Sequence, residues 1–316
     1  MTLTIDPTQP ALGQRRLGAS KPRHGERAIA ALLGLCALVS VATTVGIVVA
    51  LFVPTVEFFR SVSLREFLTT TEWAPLFDRA RFGVLPLATA TLVTTLCALA
   101  VCVPFGLGAA IFLSEYASGR ARSLLKPALE VLAGIPTVVY GFFALTFVTP
   151  LLQEIWFGPG DPPQIFNGLS AGLVMGVMIL PTIASLAEDA MSAVPRSLRA
   201  GAFALGSTKL QVSTRVVVPG ALSGIVAAIV LGISRAVGET MIVLVAAGGT
   251  PNFTFNPAEA MQTMTAFIAA AGMGDQPTGT IGYKTIFAVG AALFVATFVM
   301  NQLSIRLVRR YREAYE

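Results

Sequence analysis

Residues 188–241 read EDAMSAVPRSLRAGAFALGSTKLQVSTRVVVPGALSGIVAAIVLGISRAVGETM, and the change of character at Pro219 decides the fold. Before it, the apolar residues are too broken to span a bilayer and are interleaved with Arg196, Arg199, Lys209 and Arg215. After it, an apolar run continues to about Ala247 and carries Arg235 and Glu239 near its middle. A basic amphipathic segment is thus joined directly to a membrane helix that contains charges.

Outward from that joint, the chain is 316 residues long, 54% hydrophobic and only 12% charged. Several apolar runs exceed the roughly 20 residues a spanning helix needs, which points to an all-α, multi-spanning integral membrane protein. The net charge of +5 sits in short segments between apolar runs, so it carries topology rather than marking a nucleic-acid surface. Cys36, Cys97 and Cys102 lie inside apolar runs without ligand spacing and read as packing residues, with no disulfide or metal implied. His24, the only histidine, lies in a polar tail. No phosphate loop of the form Gly-x-x-x-x-Gly-Lys-Ser/Thr occurs, so nucleotide is not bound by that route.

In chain order, residues 1–27 read as a disordered tail and 28–53 as a first transmembrane anchor, too long for a signal-peptide core. Residues 54–82 form a mixed-charge loop with Trp73, 83–308 a five-span core and 309–316 a basic tail. Spans are expected at about 83–113, 127–152, 168–186, 220–247 and 285–307, with Pro136 kinking the 127–152 helix. The loops 153–167 and 248–283 are rich in turn residues. Six spans put both termini on one side. Sixteen of the 22 Lys and Arg fall in the tails, the 114–126 loop and the 188–219 segment, against five in the opposite loops. The positive-inside rule places both tails and 188–219 in the cytoplasm.

Within 188–219, Pro195 suits a first helical turn, and Leu198, Ala202 and Leu205 share one helical face. Gly206 ends that helix, and Thr208 with Gln211 forms a capping box for the next. Two short helices joined at a glycine form a knob, read either as a docking surface or as an amphipathic helix resting on headgroups. Ala200-Gly201-Ala202, three residues, Gly206, nine residues, Val216-x-Val218-Pro219 resembles the loop of bacterial ABC importer membrane subunits. That loop has the form EAA, three residues, Gly, nine residues, Ile-x-Leu-Pro. The family glutamate is Ala200 here, its second position is Gly201, and the aliphatics are valines. The resemblance implies a type I ABC importer permease fold with six transmembrane helices, whose cytoplasmic coupling helix docks on an ATPase.

Arg235 and Glu239, at i and i+4 of one helix, share a face and are within reach of each other. Each charge costs at least ~2.5–3.5 kcal/mol at the bilayer centre. They read either as a buried ion pair or as a translocation path or gate, where a planar guanidinium meets a tetrahedral oxyanion. RAVGETM, with AGIPTVVYGFF and LPTIASLAEDAMSAVP, resembles the phosphate-specific ABC importer, the PstC type of permease more than the PstA type. The resemblance implies a non-catalytic subunit that binds no cofactor, with ATP and Mg used by a partner. The implied partners are a PstA-like second permease, a PstB-like ATPase dimer and a PstS-like extracytoplasmic phosphate-binding protein. The last would dock on the 54–82, 153–167 and 248–283 loops. A sulfate or molybdate permease, a PstA-type subunit and a secondary transporter are the alternatives. The last would show matched internal repeats, and none is found. A membrane enzyme lacks a nucleophile–base pairing in the spans. Glu115, Glu130, Glu188 and Asp189 read as interfacial or coupling-side contacts near the cytoplasmic ends.

Overall fold

The computed structural model describes residues 24–310 apart from 76, 78, 157, 159 and 275. Of the tails expected at 1–27 and 309–316, residues 1–23 and 311–316 lie outside the described residues, whereas 24–27 already belong to the first helix and 309–310 to the last. The chain divides into two units, 1–50 and 51–316. The described part of the first is a single helical stretch, the beginning of α1 (His24–Ser61), with its side chains exposed almost throughout.

Helix α1 does not stop at Val53. It runs through Pro54 to Ser61, so the 54–82 loop is shorter than the sequence suggests. One lost backbone donor at Pro54 is outweighed by packing beyond it, since Phe58 is fully buried with its ring edge-on to Phe67 and Phe82. The remainder holds α2 (Leu64–Thr69), capped by the Ser63 side chain, and a small antiparallel pair, β1 (Trp73–Ala74) with β2 (Arg81–Phe82).

The rest is helical. Helix α3 (Leu85–Ile111) extends through a π-helical turn at Phe112–Tyr116, and α4 (Gly119–Ala133) follows, its N-terminus capped by Ser118. Helix α5 (Thr137–Phe143) continues through a second π turn, Ala144–Val148, into α6 (Thr149–Glu154). Then come α7 (Gly168–Ser192), α8 (Arg196–Ala204) and α9 (Lys209–Val212). A third π turn, Ser213–Val217, leads to α10 (Val218–Gly220) and α11 (Leu222–Val237). Helices α12 (Met241–Ala246), α13 (Met264–Met273) and α14 (Ile281–Arg310) complete the chain. Among the described residues, five helices are long and apolar enough to cross a membrane. A sixth crossing is made if 209–220 and 222–237, bent by 72° at their junction, form one span.

Helices α3 and α7 make the central contact. A Cβ on Gly172 would sit 2.5 Å from Cβ of Cys97, and one on Gly176 would sit 2.7 Å from the Ala98 carbonyl oxygen. With small residues every fourth position, the two backbones approach closely, which is how helices gain packing where lipid removes any hydrophobic drive.

Four further expected segments change. The span expected at 127–152 is two objects: α4 is a separate amphipathic helix, and the apolar helix begins at Thr137. Pro136 does not kink it but precedes its first residue with an extended ψ of 135°, so its missing N–H falls ahead of the helix and costs no intrahelical bond. The span expected at 168–186 runs on to Ser192 and takes Glu188 and Asp189 into its last turns. The run expected at 220–247 breaks between Val237 and Met241, and the loop expected at 248–283 contains α13, whose Met264, Ala266 and Phe267 are buried.

Candidate functional site

Gly238, Glu239 and Thr240 lie between α11 and α12. Glycine is the weakest helix former after proline, and the Glu239 side chain supplies an alternative to continuing the helix. Its Oε1 accepts from the Met241 and Ile242 backbone N–H groups at 3.0 and 3.3 Å, satisfying donors that open α12. Its backbone carbonyl accepts from the Thr265 hydroxyl at 2.6 Å. A carboxylate at a helix N-terminus is also favoured by the helix dipole.

Arg235, in the last turn of α11, is half-buried and donates from Nη1 to Oγ1 of Thr182 at 3.1 Å. Thr182 follows Pro181 inside α7. Among the described residues, no carboxylate lies within ion-pair distance of Arg235. The shared helical face expected of Arg235 and Glu239 does not form, because α11 ends before Glu239 is reached. A guanidinium with a single neutral partner in a membrane helix has most of its five donors uncommitted, and an oxyanion is their natural acceptor.

The 195–219 segment keeps its expected shape. Gly206, with φ at +80°, ends α8 in a Schellman motif: Ser207 N–H reaches the Ala202 carbonyl at 3.1 Å and Gly206 N–H the Phe203 carbonyl at 3.0 Å. The capping box of Thr208 and Gln211 is complete and starts α9. Pro195 stands one position earlier than expected, as the residue preceding α8. Ala200 and Gly201 are exposed, and Ala202 packs inward with Ala110, Met191 and Val212. Val216 and Val218 are half-buried and Pro219 is exposed. The face expected from Leu198, Ala202 and Leu205 is not buried as a unit: Leu205 is 88% exposed and Leu198 is also open. Phe203 and Leu210 are exposed beside them, so the knob presents apolar groups outward.

Sequence reasoning read the acids of this region as interfacial or coupling-side contacts without finding their partners. Glu188, 3% exposed, receives Lys126 of α4 at 2.8 Å, Arg122 at 3.2 Å and the Ser192 hydroxyl at 3.1 Å. Lys126 also meets Asp189 at 3.0 Å. The hydrogen bond to the Glu188 carboxylate, and then that to Asp189, raises the Lys126 ammonium above the ordinary lysine range. Glu115, in the π turn after α3, meets Arg199 of α8 at 2.9 Å. The missed Thr182 had no signal beyond its place after Pro181. No described group of His, Cys, Asp and Glu is arranged to hold a metal ion.

On the far side of α5–α7, the 153–167 and 248–263 loops join through backbone bonds. Gln164 N–H reaches the Ala258 carbonyl at 2.9 Å and Leu169 N–H the Pro257 carbonyl at 2.7 Å. Ile165, Phe166, Phe253 and Phe255 are exposed on these joined loops.

Helices long and apolar enough to span a membrane, a guanidinium with a neutral partner in one of them and an amphipathic knob on the same chain suit a membrane transport subunit. The chain belongs to the family of binding-protein-dependent transport system inner membrane components, whose model matches residues 102–313. It is 37% identical over 266 residues to the probable ABC transporter permease protein YqgH of Bacillus subtilis, covering 84% of each chain. It is 31% identical to the phosphate transport system permease protein PstC of Mesorhizobium japonicum, again over 84% of each. PstC 1 of Mycobacterium tuberculosis is 35% identical over 77% of this chain and 81% of its own. Among solved structures, a bacterial ABC transporter that imports the acidic polysaccharide alginate superposes with a TM-score of 0.55 at 16% identity, covering 87% of this chain and 99% of that one. The inward-facing MetNI methionine ABC transporter gives 0.52 at 18% identity, over 73% and 95%. At these identities the structures establish the fold alone, that of the type I ABC importer permeases.

Proposed function

We propose that this chain is the PstC-type permease of an ATP-driven importer and carries inorganic phosphate. The observation behind the reading is Arg235, a guanidinium in a membrane helix with a neutral hydroxyl as its partner and, among the described residues, no carboxylate within ion-pair distance. A tetrahedral oxyanion accepts from such a group in a two-pronged geometry, and the PstC relatives point to phosphate among oxyanions. Glu239 acts in this path by fixing the break that ends α11 one residue pair beyond Arg235.

The other parts follow from the same reading. Both termini and the 188–219 segment face the cytoplasm, in line with their Lys and Arg content. Ala200, Gly201, Ala202, Gly206, Val216, Val218 and Pro219 shape the knob that docks on a PstB-like ATPase dimer, where ATP and Mg are used. A PstA-like subunit completes the pathway. A PstS-like phosphate-binding protein docks on the joined 153–167 and 248–263 loops.

Radiolabelled phosphate uptake in cells with and without this chain, with excess sulfate or molybdate as competitor, tests the reading. Uptake that requires the chain and resists the competitors supports it. Uptake that sulfate or molybdate abolishes reassigns the substrate, and phosphate uptake indifferent to deletion in cells with no other phosphate importer overturns it.

A further inference from the structure

We infer that Arg199 is the positioning residue that transmits movement of the α8 knob to the spanning helices α3 and α7. The inference rests on the reading of α8 as the ATPase-docking element.

One side chain joins three elements. From α8, the Arg199 Nη2 reaches Oε1 of Glu115 at 2.9 Å and the Met191 carbonyl at 2.8 Å; Nε adds a 3.3 Å bond to the same carboxylate. Nη1 bonds the Val194 carbonyl at 2.5 Å. Met191 lies in the last turn of α7 and Val194 in the elbow between α7 and α8, while Glu115 belongs to the π turn that extends α3. The guanidinium therefore holds the C-terminal carbonyls of α7, where the helix dipole favours a cation, and the end of α3 at once. The planar fork aims its donors at all three acceptors in fixed directions; the three N–H groups of an ammonium match them in number but not in geometry.

The surroundings fit a transmitting contact. Arg199 and Glu115 side chains are 17% and 8% exposed, so the pair is little screened by solvent. It borders a polar cavity of about 310 Å³ lined by Ser114, Glu115, Arg122, Ser192, Arg196 and Arg199, which leaves room for the two ends to shift. On the same short helix, Ala200, Gly201 and Phe203 are exposed, as is Leu205 just after it, while Arg199 and Ala202 face the bundle. A push on the outer face is delivered inward through Arg199.

The test is the ratio of transport to ATP hydrolysis in the intact complex, purified with its ATPase, second permease and binding protein and placed in vesicles. In Arg199→Ala, binding-protein-stimulated hydrolysis is expected to stay within about twofold of wild type, while uptake per ATP falls at least about tenfold. Arg199→Lys is expected to be intermediate, and Glu115→Gln to lower the ratio without loss of assembly. If Arg199→Ala does not assemble, the Lys and Gln variants carry the test. Proportional loss of hydrolysis and uptake, or an unchanged ratio in both bulk-conserving variants, overturns the inference. Uptake is measured with the anion that the wild-type complex carries, so a wild-type complex inert to phosphate refutes the substrate reading and leaves this ratio measurable.

Discussion

The Arg235 guanidinium rests on the Thr182 hydroxyl at 3.1 Å, tying the end of α11 to the proline-interrupted stretch of α7. Helices α7 and α11 are thus linked at the cation itself. A neutral hydroxyl fixes the direction of the guanidinium without neutralising it.

Removing the cation should therefore stop transport, whereas removing its support should only weaken it. Arg235→Ala is expected to reduce phosphate uptake at least about a hundredfold with the complex still assembled. Thr182→Val keeps side-chain volume, loses one hydrogen bond to a charged group, worth roughly 1.5–3 kcal/mol at most, and is expected to lower uptake about three- to tenfold. Initial uptake rates beside quantified complex decide it. Disassembly of the Arg235→Ala complex would instead give Arg235 a structural role.

Glu239 belongs to α12, not to Arg235. Glu239→Ala removes the acceptor of the Met241 and Ile242 N–H groups and is expected to cost about 0.5–2 kcal/mol, as other lost N-terminal caps do. Glu239→Gln keeps an acceptor oxygen and should cost less. In a double-mutant cycle with Arg235→Ala, the coupling energy measured by unfolding is expected to stay below about 0.5 kcal/mol. A larger value would mean that the two charges pair in the working protein.

The Lys126–Glu188 contact makes a pH-dependent prediction. Lys126 is raised above its ordinary range by its carboxylate partners, so its contribution to stability is fully present below the unfolded lysine value near ~10.4. It is lost as pH rises through the still higher folded value. Lys126→Met should destabilise by about 1–2 kcal/mol, less than for a fully buried pair, because Arg122 and Ser192 still serve Glu188 and Lys126 is partly exposed. The gap in melting temperature between wild type and variant should be constant from pH 6 to about pH 9 and close above about pH 10.5. A gap that closes instead on mild acidification would assign the effect to the carboxylates.

These contacts divide by what sequence can register. The spans, Gly206 and the Thr208–Gln211 capping box were legible because they depend on local composition and i to i+3 spacing. The separation of Arg235 from Glu239 was not, since spacing assumes a continuous helix and the break at Gly238 is fixed by bonds to Met241, Ile242 and Thr265. Pro136 gave a turn signal in both readings, but whether a proline kinks a helix or starts one depends on what precedes it, here the amphipathic α4. Arg199 with Glu115 and Lys126 with Glu188 join residues more than sixty positions apart, and no local pattern carries that information.

Gly206 provides the sharpest test of the knob. At φ +80° a side chain is strained by about 1–2 kcal/mol, yet nothing lies within 4 Å of a Cβ placed there, so Gly206→Ala adds strain without a clash. The strain is relieved by unwinding the Schellman turn, which changes the angle between α8 and α9 while leaving the spanning helices untouched. Transport per ATP is therefore expected to fall several-fold with membrane insertion unchanged. Gly206→Pro, which locks φ near −65° and removes the N–H bonded to Phe203, is expected to uncouple hydrolysis from transport altogether. Both are read from hydrolysis and uptake in the same vesicles. Normal coupling in Gly206→Pro would show that the angle at this turn is not what the docking partner engages.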